Sequence, residues 1–529
     1  MQPNRRRAPL PASRRPSRRG AALVLTTAVL ATASLTACGG GSAAGSRTGS
    51  DVLNVGLTTP PTNLNPAANG SGQQTLFLSL ANEPLTYLKA DGTIGPGLAT
   101  SWKYVGTGNK RFELTLRTGA KFSDGSPVDA QAVKGWLEYF FFKSGSPFAA
   151  NIAAKTIEAQ GTSKVVLHLS EPNPVLPYLL SQVYNIGDVA SPAGVANPKS
   201  LATQTRGAGP YMIDPSQTVT NDHYTYVPNP HYYDRSRIHY KKIVIKVISQ
   251  PSTMLAAIRS GQIDVAPGDV TTAKQAKSAG LQIVSKKSGW DGLIFLDRKG
   301  ALAKPLGDVR VRRALNHAVD RKTLVKGLLG EYATPTSQPP TLDGTDPALD
   351  EHYAYDPAKA KALLAEAGYA EGFTLPVTSM GFAQMLGDPV VQAIGKYLAA
   401  VGVTLKITSG GTQAQYGTQL FSKKYAATGF VQQPVLPMYM FYVFYLAPKN
   451  GLNQHGWSDP KLNGLWSQGA VAADTAETAK AMSRRGVEDA YNLPVAAIDS
   501  IWYVNKGVTG VDFSAGTGFP YPAEWRPAR

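Results

Sequence analysis

The chain has 529 residues, 53 basic and 36 acidic side chains, a formal charge of +17 and a single cysteine. That length is more than one ordinary domain needs and allows two or three, and one cysteine excludes any disulfide within a monomer. The basic residues are scattered or paired, as in Lys286-Lys287 and Lys423-Lys424, so the stripe of charge interleaved with aromatics that reads nucleic acid is missing and no nucleic-acid partner is expected.

The first element is an export signal. Arg5, Arg6, Arg7, Arg14, Arg15, Arg18 and Arg19 stand before an uncharged stretch from Gly20 to Ala37, and no acid precedes Cys38. A basic segment followed by a short apolar core (Ala21–Ala31) has the layout of a secretory signal, and it is short beside the roughly 20 apolar residues of a membrane-spanning helix. Leu35-Thr36-Ala37-Cys38 resembles the bacterial lipobox, in which cleavage precedes a cysteine that then carries lipid. The sequence therefore predicts a signal peptide over 1–37, lipidation at Cys38 and a Gly/Ser-rich flexible tether over 38–50. Ser17-Arg18-Arg19 is a partial twin-arginine signature, which leaves the general and twin-arginine export routes both open. Removing residues 1–37 takes away seven arginines and no acid, and leaves a net charge of about +10. A basic surface of that size suits the neighbourhood of an anionic envelope.

Beyond the tether, turn and cap chemistry punctuates the chain. Asp124-Gly125-Ser126-Pro127 is a turn. Asp129 is placed to cap a helix whose Val133, Trp136, Leu137 and Phe140 form an apolar stripe. Ser252–Ser260 reads as a helix, Gly261 as its stop and Ile263–Val265 as a strand. Asp308 and Asp320 are placed as N-caps of two consecutive helices. Asp356-Pro357 opens a helix through Ala367, with Gly368 at its C-cap position. Val391, Ile394, Leu398 and Val401 recur at helical spacing, Gly402 follows, and Val403–Ile407 alternates as a strand. Helix, glycine and strand in repetition predict an α/β architecture.

Several segments in this order carry a resemblance. They are Phe112–Val128 (FELTLRTGAKFSDGSPV), Gly207-Ala208-Gly209-Pro210-Tyr211, Asn229-Pro230-His231-Tyr232-Tyr233, Asp308–Leu315 with Ala318–Arg321, and Tyr355-Asp356-Pro357 with Ala365–Gly368. Together the chain from about residue 52 onward resembles the oligopeptide- and dipeptide-binding class of ABC-transporter solute-binding proteins, family five. The resemblance implies a two-lobed, periplasmic-binding-protein-like α/β fold of the peptide-binding cluster, with a third small domain. Lobe I would be discontinuous over 51–87, 188–285 and 493–529, the small domain would span 88–187, and lobe II 286–492. It also implies capture of a peptide or peptide-like solute in the cleft between lobes, delivery to ABC permease and ATPase subunits, a monomer, and no cofactor.

The expected cleft segment is Gly429–Tyr445 (GFVQQPVLPMYMFYVFY). In peptide binders of the family this segment contains an aspartate that pairs with the peptide's amino group, and the approximate match here is Gln432 or Gln433. No Asp or Glu occurs from Phe421 to Ser458. Burying an ammonium without a partner costs several kcal/mol, so that segment alone predicts weak binding of free-amine peptides and favours blocked peptides, uncharged oligosaccharides or other neutral solutes. Candidate ligand-binding residues are Asn69, Trp290, Phe430, Gln432, Gln433, Tyr439 and Tyr442.

Three other readings compete. A secreted hydrolase lacks support, since neither a Gly-x-Ser-x-Gly elbow nor a His-Glu-x-x-His zinc motif is present, and no enzymatic activity is expected. A metal or metal-chelate binder would draw on His223, His231 and His239, but Pro228 and Pro230 prevent one continuous strand from aligning all three. A surface receptor without a transporter is distinguished best by the neighbouring genes, since an importer operon encodes permeases and ATPases.

Overall fold

The computed structural model describes residues 50–528 apart from 71, 147, 150–151, 343–344, 382–386, 434, 447–451 and 514–517. Cys38 and the signal and tether expected around it lie outside the described residues.

Two long strands organise the molecule. Gln282–Phe295 and Asn492–Val504 run antiparallel and pair from Gln282 opposite Val504 to Ile294 opposite Asn492. They form the middle of an eleven-stranded sheet and belong to both of its halves. In the first half, Val52–Leu57 pairs in parallel with Lys242–Val247 and Val265–Gly268, and His223–Pro228 and Tyr211–Ile213 extend the sheet. In the second half, Phe373–Ser379 pairs in parallel with Val403–Ser409 and Ala427–Gln432, and the last of these joins Gln282–Phe295. Between Lys287 and Gly289, and again between Asp291 and Gly292, the pairing of the long strands slips by one residue. Such bulges bend a strand and raise its local twist, which here happens where the chain crosses between halves.

Each half has its own core. Leu53, Val55, Ile243, Ile245, Tyr226, Trp502 and Trp525 fill the first. Leu293, Phe295, Leu375, Val377, Val403, Leu493 and Val495 fill the second, against the helices Val309–His317 and Gly387–Ala399. Leu493, Val495 and Ala496 pack in the second core, and the strand that holds them continues to Val504 in the first.

The small domain is a four-stranded antiparallel sheet in the order Ala99–Tyr104, Arg111–Leu116, Lys164–Leu169, Ala154–Gln160. Helix Ala130–Phe142 covers it with Val133, Trp136, Leu137 and Phe140 buried. The signature turn ties this domain to its surroundings: Asp124 accepts from the Ser126 and Ser191 hydroxyls, and Gly125 has φ 83°, the left-handed region that favours glycine. Gly209 lies so close to the chain that an added Cβ would stand 2.5 Å from the Ala81 carbonyl carbon, which explains the glycine in that motif. The Tyr232 and Tyr233 hydroxyls both donate to the buried Glu83 carboxylate, which also meets Arg237 at 3.1 Å.

The caps follow the sequence. Asp129, Asp308, Asp320 and Asp356 each accept from a backbone N–H of the first helical turn. One expectation shifts: the strand placed at Ile263–Val265 is Val265–Gly268. Ile263 is instead a core residue of the preceding turn, and the Asp264 carboxylate accepts from the Asn54 backbone and side-chain N–H groups, which fixes the chain just before the ladder starts.

Candidate ligand cleft

In an open α/β sheet, ligands bind outside the carboxyl ends of the parallel strands. In the second half those ends are Ser379, Ser409 and Gln432. They lie at the edge where Gln282–Phe295 arrives from the first half, so the crossing residues and the strand ends form one rim.

Trp290 and Gln432 sit opposite each other on that rim. The Trp290 indole N–H donates to the Gln432 side-chain oxygen over 3.3 Å, and both residues are buried. Phe430, half-buried on the same strand, meets Phe444 edge-on at 6.2 Å. Gln433 reaches across the crossing: a Cβ added at Gly518, in the C-terminal segment, would stand 2.8 Å from its side-chain nitrogen. The two halves therefore touch through this amide.

Tyr439 and Tyr442 face other partners. Tyr439, on the helix Pro437–Phe441, packs at 4.9 Å from the Tyr184 ring and 6.1 Å from Tyr178. Burial pushes the Tyr184 hydroxyl well above the ordinary tyrosine value, and the neighbouring Tyr178 and Tyr439 add to the shift. Tyr442 stacks on Trp466 at 4.8 Å with the planes 25° apart. Tyr439, Tyr442 and Trp466 line a crevice with Ile152, Asn173 and Val175 of the segments flanking the small sheet. The same junction is held by Asn109, at the tip between Ala99–Tyr104 and Arg111–Leu116. Its amide donates to the carbonyls of Ala470 and Ala472, each at 3.0 Å, at the end of helix Pro460–Ala470. The Ala470 carbonyl is one that a helix C-terminus leaves without an intrahelical partner.

Asn69 does not meet this group. It is 1% exposed, its side-chain oxygen accepts from the Thr62 N–H, and its amide donates to the carbonyls of Asn63 and Asn65. With its amide groups spent within the loop, Asn69 braces that loop. The three histidines do not converge either. His223 pairs with Asp222 at 2.6 Å, the His231 ring lies over Gly125, and no group of three metal-ligating side chains occurs among the described residues.

Sequence reasoning missed Tyr178 and Tyr184, which no periodicity singles out, and Asp291. The last is 1% exposed on the crossing strand, opposite Val431 and Ala496, and neither carboxylate oxygen has a hydrogen-bond partner. The only hint of it in the sequence is an acid inside an otherwise apolar strand, Trp290-Asp291-Gly292-Leu293-Ile294-Phe295.

Residues 93–451 match the model of the bacterial extracellular solute-binding proteins, family 5. The chain belongs to this family. Among curated relatives, the probable D,D-dipeptide-binding periplasmic protein DdpA of Escherichia coli K12 is 26% identical over 68% of this chain and 70% of that protein. The nickel-binding periplasmic protein of the same organism is 27% identical over 57% and 58%. The fold recurs in the Helicobacter pylori periplasmic binding protein DppA, solved with the peptide STSA, with TM-score 0.77, 19% identity and coverage of 91% and 99%. It recurs as well in AgaA of A. tumefaciens R10, solved with agropinic acid, with TM-score 0.75, 23% identity and coverage of 88% and 95%. This family member is thus an extracellular solute-binding protein with the two-lobed α/β fold, and no described helix is long and apolar enough to cross a membrane.

Proposed function

We propose that this protein captures a peptide or peptide-like small solute between its two halves and hands it, unaltered, to the permease and ATPase subunits of an ABC importer. The observation that carries the reading is the rim itself. An indole, a phenyl ring and two amides (Trp290, Phe430, Gln432, Gln433) gather at the carboxyl ends of the parallel strands, at the point where two strands cross between halves. Rings offer stacking area and amides offer both donors and acceptors, which is the equipment for a backbone-like solute. Ligand shifts such a protein towards its closed form only by touching both halves, and Gln433 lies against Gly518 of the other half. The protein acts as a monomer held at the membrane by lipid on Cys38, with lobe I, the small domain and lobe II divided as the family resemblance implies. Titration calorimetry with di- to pentapeptides, followed by mass spectrometry of the recovered peptide, tests the reading. Stoichiometric binding with intact recovery is expected, and cleavage or the absence of binding across the series overturns it.

A further inference from the structure

Residues 176–188 are braced against the small domain and the first half. The Ile186 carbonyl accepts from the Trp136 indole N–H of helix Ala130–Phe142 at 2.9 Å, and the Gly187 carbonyl accepts from the Leu85 N–H at 3.0 Å. The Gln182 carbonyl accepts from the Tyr521 hydroxyl, and the Tyr521 ring belongs to the first core. The Asn185 amide donates to the Gly70 carbonyl, in the loop that follows Val52–Leu57. Tyr178 and Tyr184 therefore stand on a fixed platform. Their rings lie 5.6 Å apart, with Phe148 against Tyr184 at 5.3 Å.

Tyr439 reaches this platform from the second half. Its helix, Pro437–Phe441, is seated there by other residues. A Cβ added at Gly469, in helix Pro460–Ala470, would stand 2.7 Å from the Met438 Cε, and Phe441 meets Tyr445 at 5.2 Å and Tyr491 at 6.5 Å. The Tyr439 ring itself is buried against Tyr184 and Tyr178. The contact lies at a seam, because the crevice lined by Ile152, Asn173, Tyr442 and Trp466 runs beside it. Every group in it belongs to the protein. Buried rings in contact are attractive both through their area and through their pairing. A contact made only when two lobes are closed shifts their equilibrium towards closure.

We infer that Tyr439 is a latch: its ring seats on Tyr178 and Tyr184 when the halves close, and this contact populates the closed arrangement before solute arrives. Solute then adds its own contacts to both halves and completes the shift. A closed fraction already present lowers the cost of closure that solute must otherwise bear. The inference goes beyond the proposed function and depends on no particular solute.

The test uses the mature chain carrying Cys38→Ser, with spin labels on Lys155→Cys and Lys461→Cys, two exposed positions on either side of the seam. Pulsed spin-resonance spectroscopy reads the distance between the labels with no solute added, so a failure of the peptide reading leaves the outcome untouched. A short distance matching this structure is expected beside a longer one. Tyr439→Ala is expected to lower the ratio of short to long by about tenfold, as the loss of a buried ring implies. Tyr439→Phe keeps the ring and is expected to stay within about twofold of the unaltered protein. A ratio unchanged in Tyr439→Ala, an equal fall in Tyr439→Phe, or the long distance alone in the unaltered protein overturns the latch. A short distance alone in the unaltered protein supports it if Tyr439→Ala adds the long one, and overturns it if not. Should Tyr439→Ala fail to fold, Tyr439→Leu, which fills apolar space without a ring, takes its place under the same criteria.

Discussion

Trp290 and Gln432 are cross-strand partners whose side chains close a 3.3 Å hydrogen bond at the edge where the two halves of the molecule meet. The two residues stand 142 positions apart in the sequence. The pairing of the strands brings them together.

The first prediction concerns this pair. Trp290→Phe keeps most of the buried ring and removes the N–H, leaving the Gln432 oxygen without its donor. A loss of about 1 kcal/mol in stability is expected, and Gln432→Leu alone costs a similar amount. The double variant should lose less than the sum of the two, which urea denaturation of all four proteins measures as a coupling of about 0.5–1 kcal/mol.

A second prediction concerns Asn109, which adopts φ 49° and donates to the carbonyls of Ala470 and Ala472. Asn109→Gly keeps the backbone at ease and deletes both bonds, so it separates conformation from contact. The contact ties the small domain to the second half. Its loss is expected to weaken solute binding by roughly three- to tenfold, chiefly through faster release, as stopped-flow or surface-based kinetics will read. Unchanged release would show that the contact does not bear on closure.

Much of the framework was legible because its signals are local. Asp129, Asp308, Asp320 and Asp356 cap helices where a short polar residue precedes an apolar repeat. Turns, caps and core stripes are written within a few residues of one another. The cleft is different, since its members come from distant segments and meet only through strand pairing. Asn69 is a candidate by sequence, and in the folded chain its amide is spent on Thr62, Asn63 and Asn65. Tyr184 lies outside every motif and emerges only because Tyr439 packs on it. Asp291 carries no motif, and its lack of partners is a property of the folded molecule.

Acidity gives a third prediction. Asp188 is buried, one of its oxygens is unpartnered, and desolvation together with the Glu83 charge pushes its carboxyl up to about 8; Tyr521 is the other titratable group it faces. Below about pH 4 the folded and unfolded chains both hold this proton, so the ionisation of Asp188 makes no difference to stability there. As pH rises from about 4 to about 8 the unfolded chain loses the proton and the folded chain keeps it, so stability falls through that window and levels off above it. Asp188→Asn should flatten this part of the curve. Melting temperatures of both proteins from pH 4 to pH 9 will show whether the curves converge at the acid end and separate towards pH 8, as expected.

Membrane attachment is the fourth. Cys38 follows Leu35-Thr36-Ala37 and precedes a Gly/Ser-rich tether. Cys38→Ser is expected to release the protein from membranes or to block its processing. Fractionation of cells expressing each form, with the mass of the mature N-terminus, checks it; unchanged attachment and processing would remove the lipid anchor from the account.

The most direct test of the whole account is small-angle scattering on the mature protein with and without a bound peptide, paired with chemical analysis of that peptide afterwards. The account predicts that the radius of gyration falls on binding, as the two halves close about the crossing strands, and that the peptide is recovered intact. A peptide that binds without compaction, or that is recovered cleaved, would contradict it.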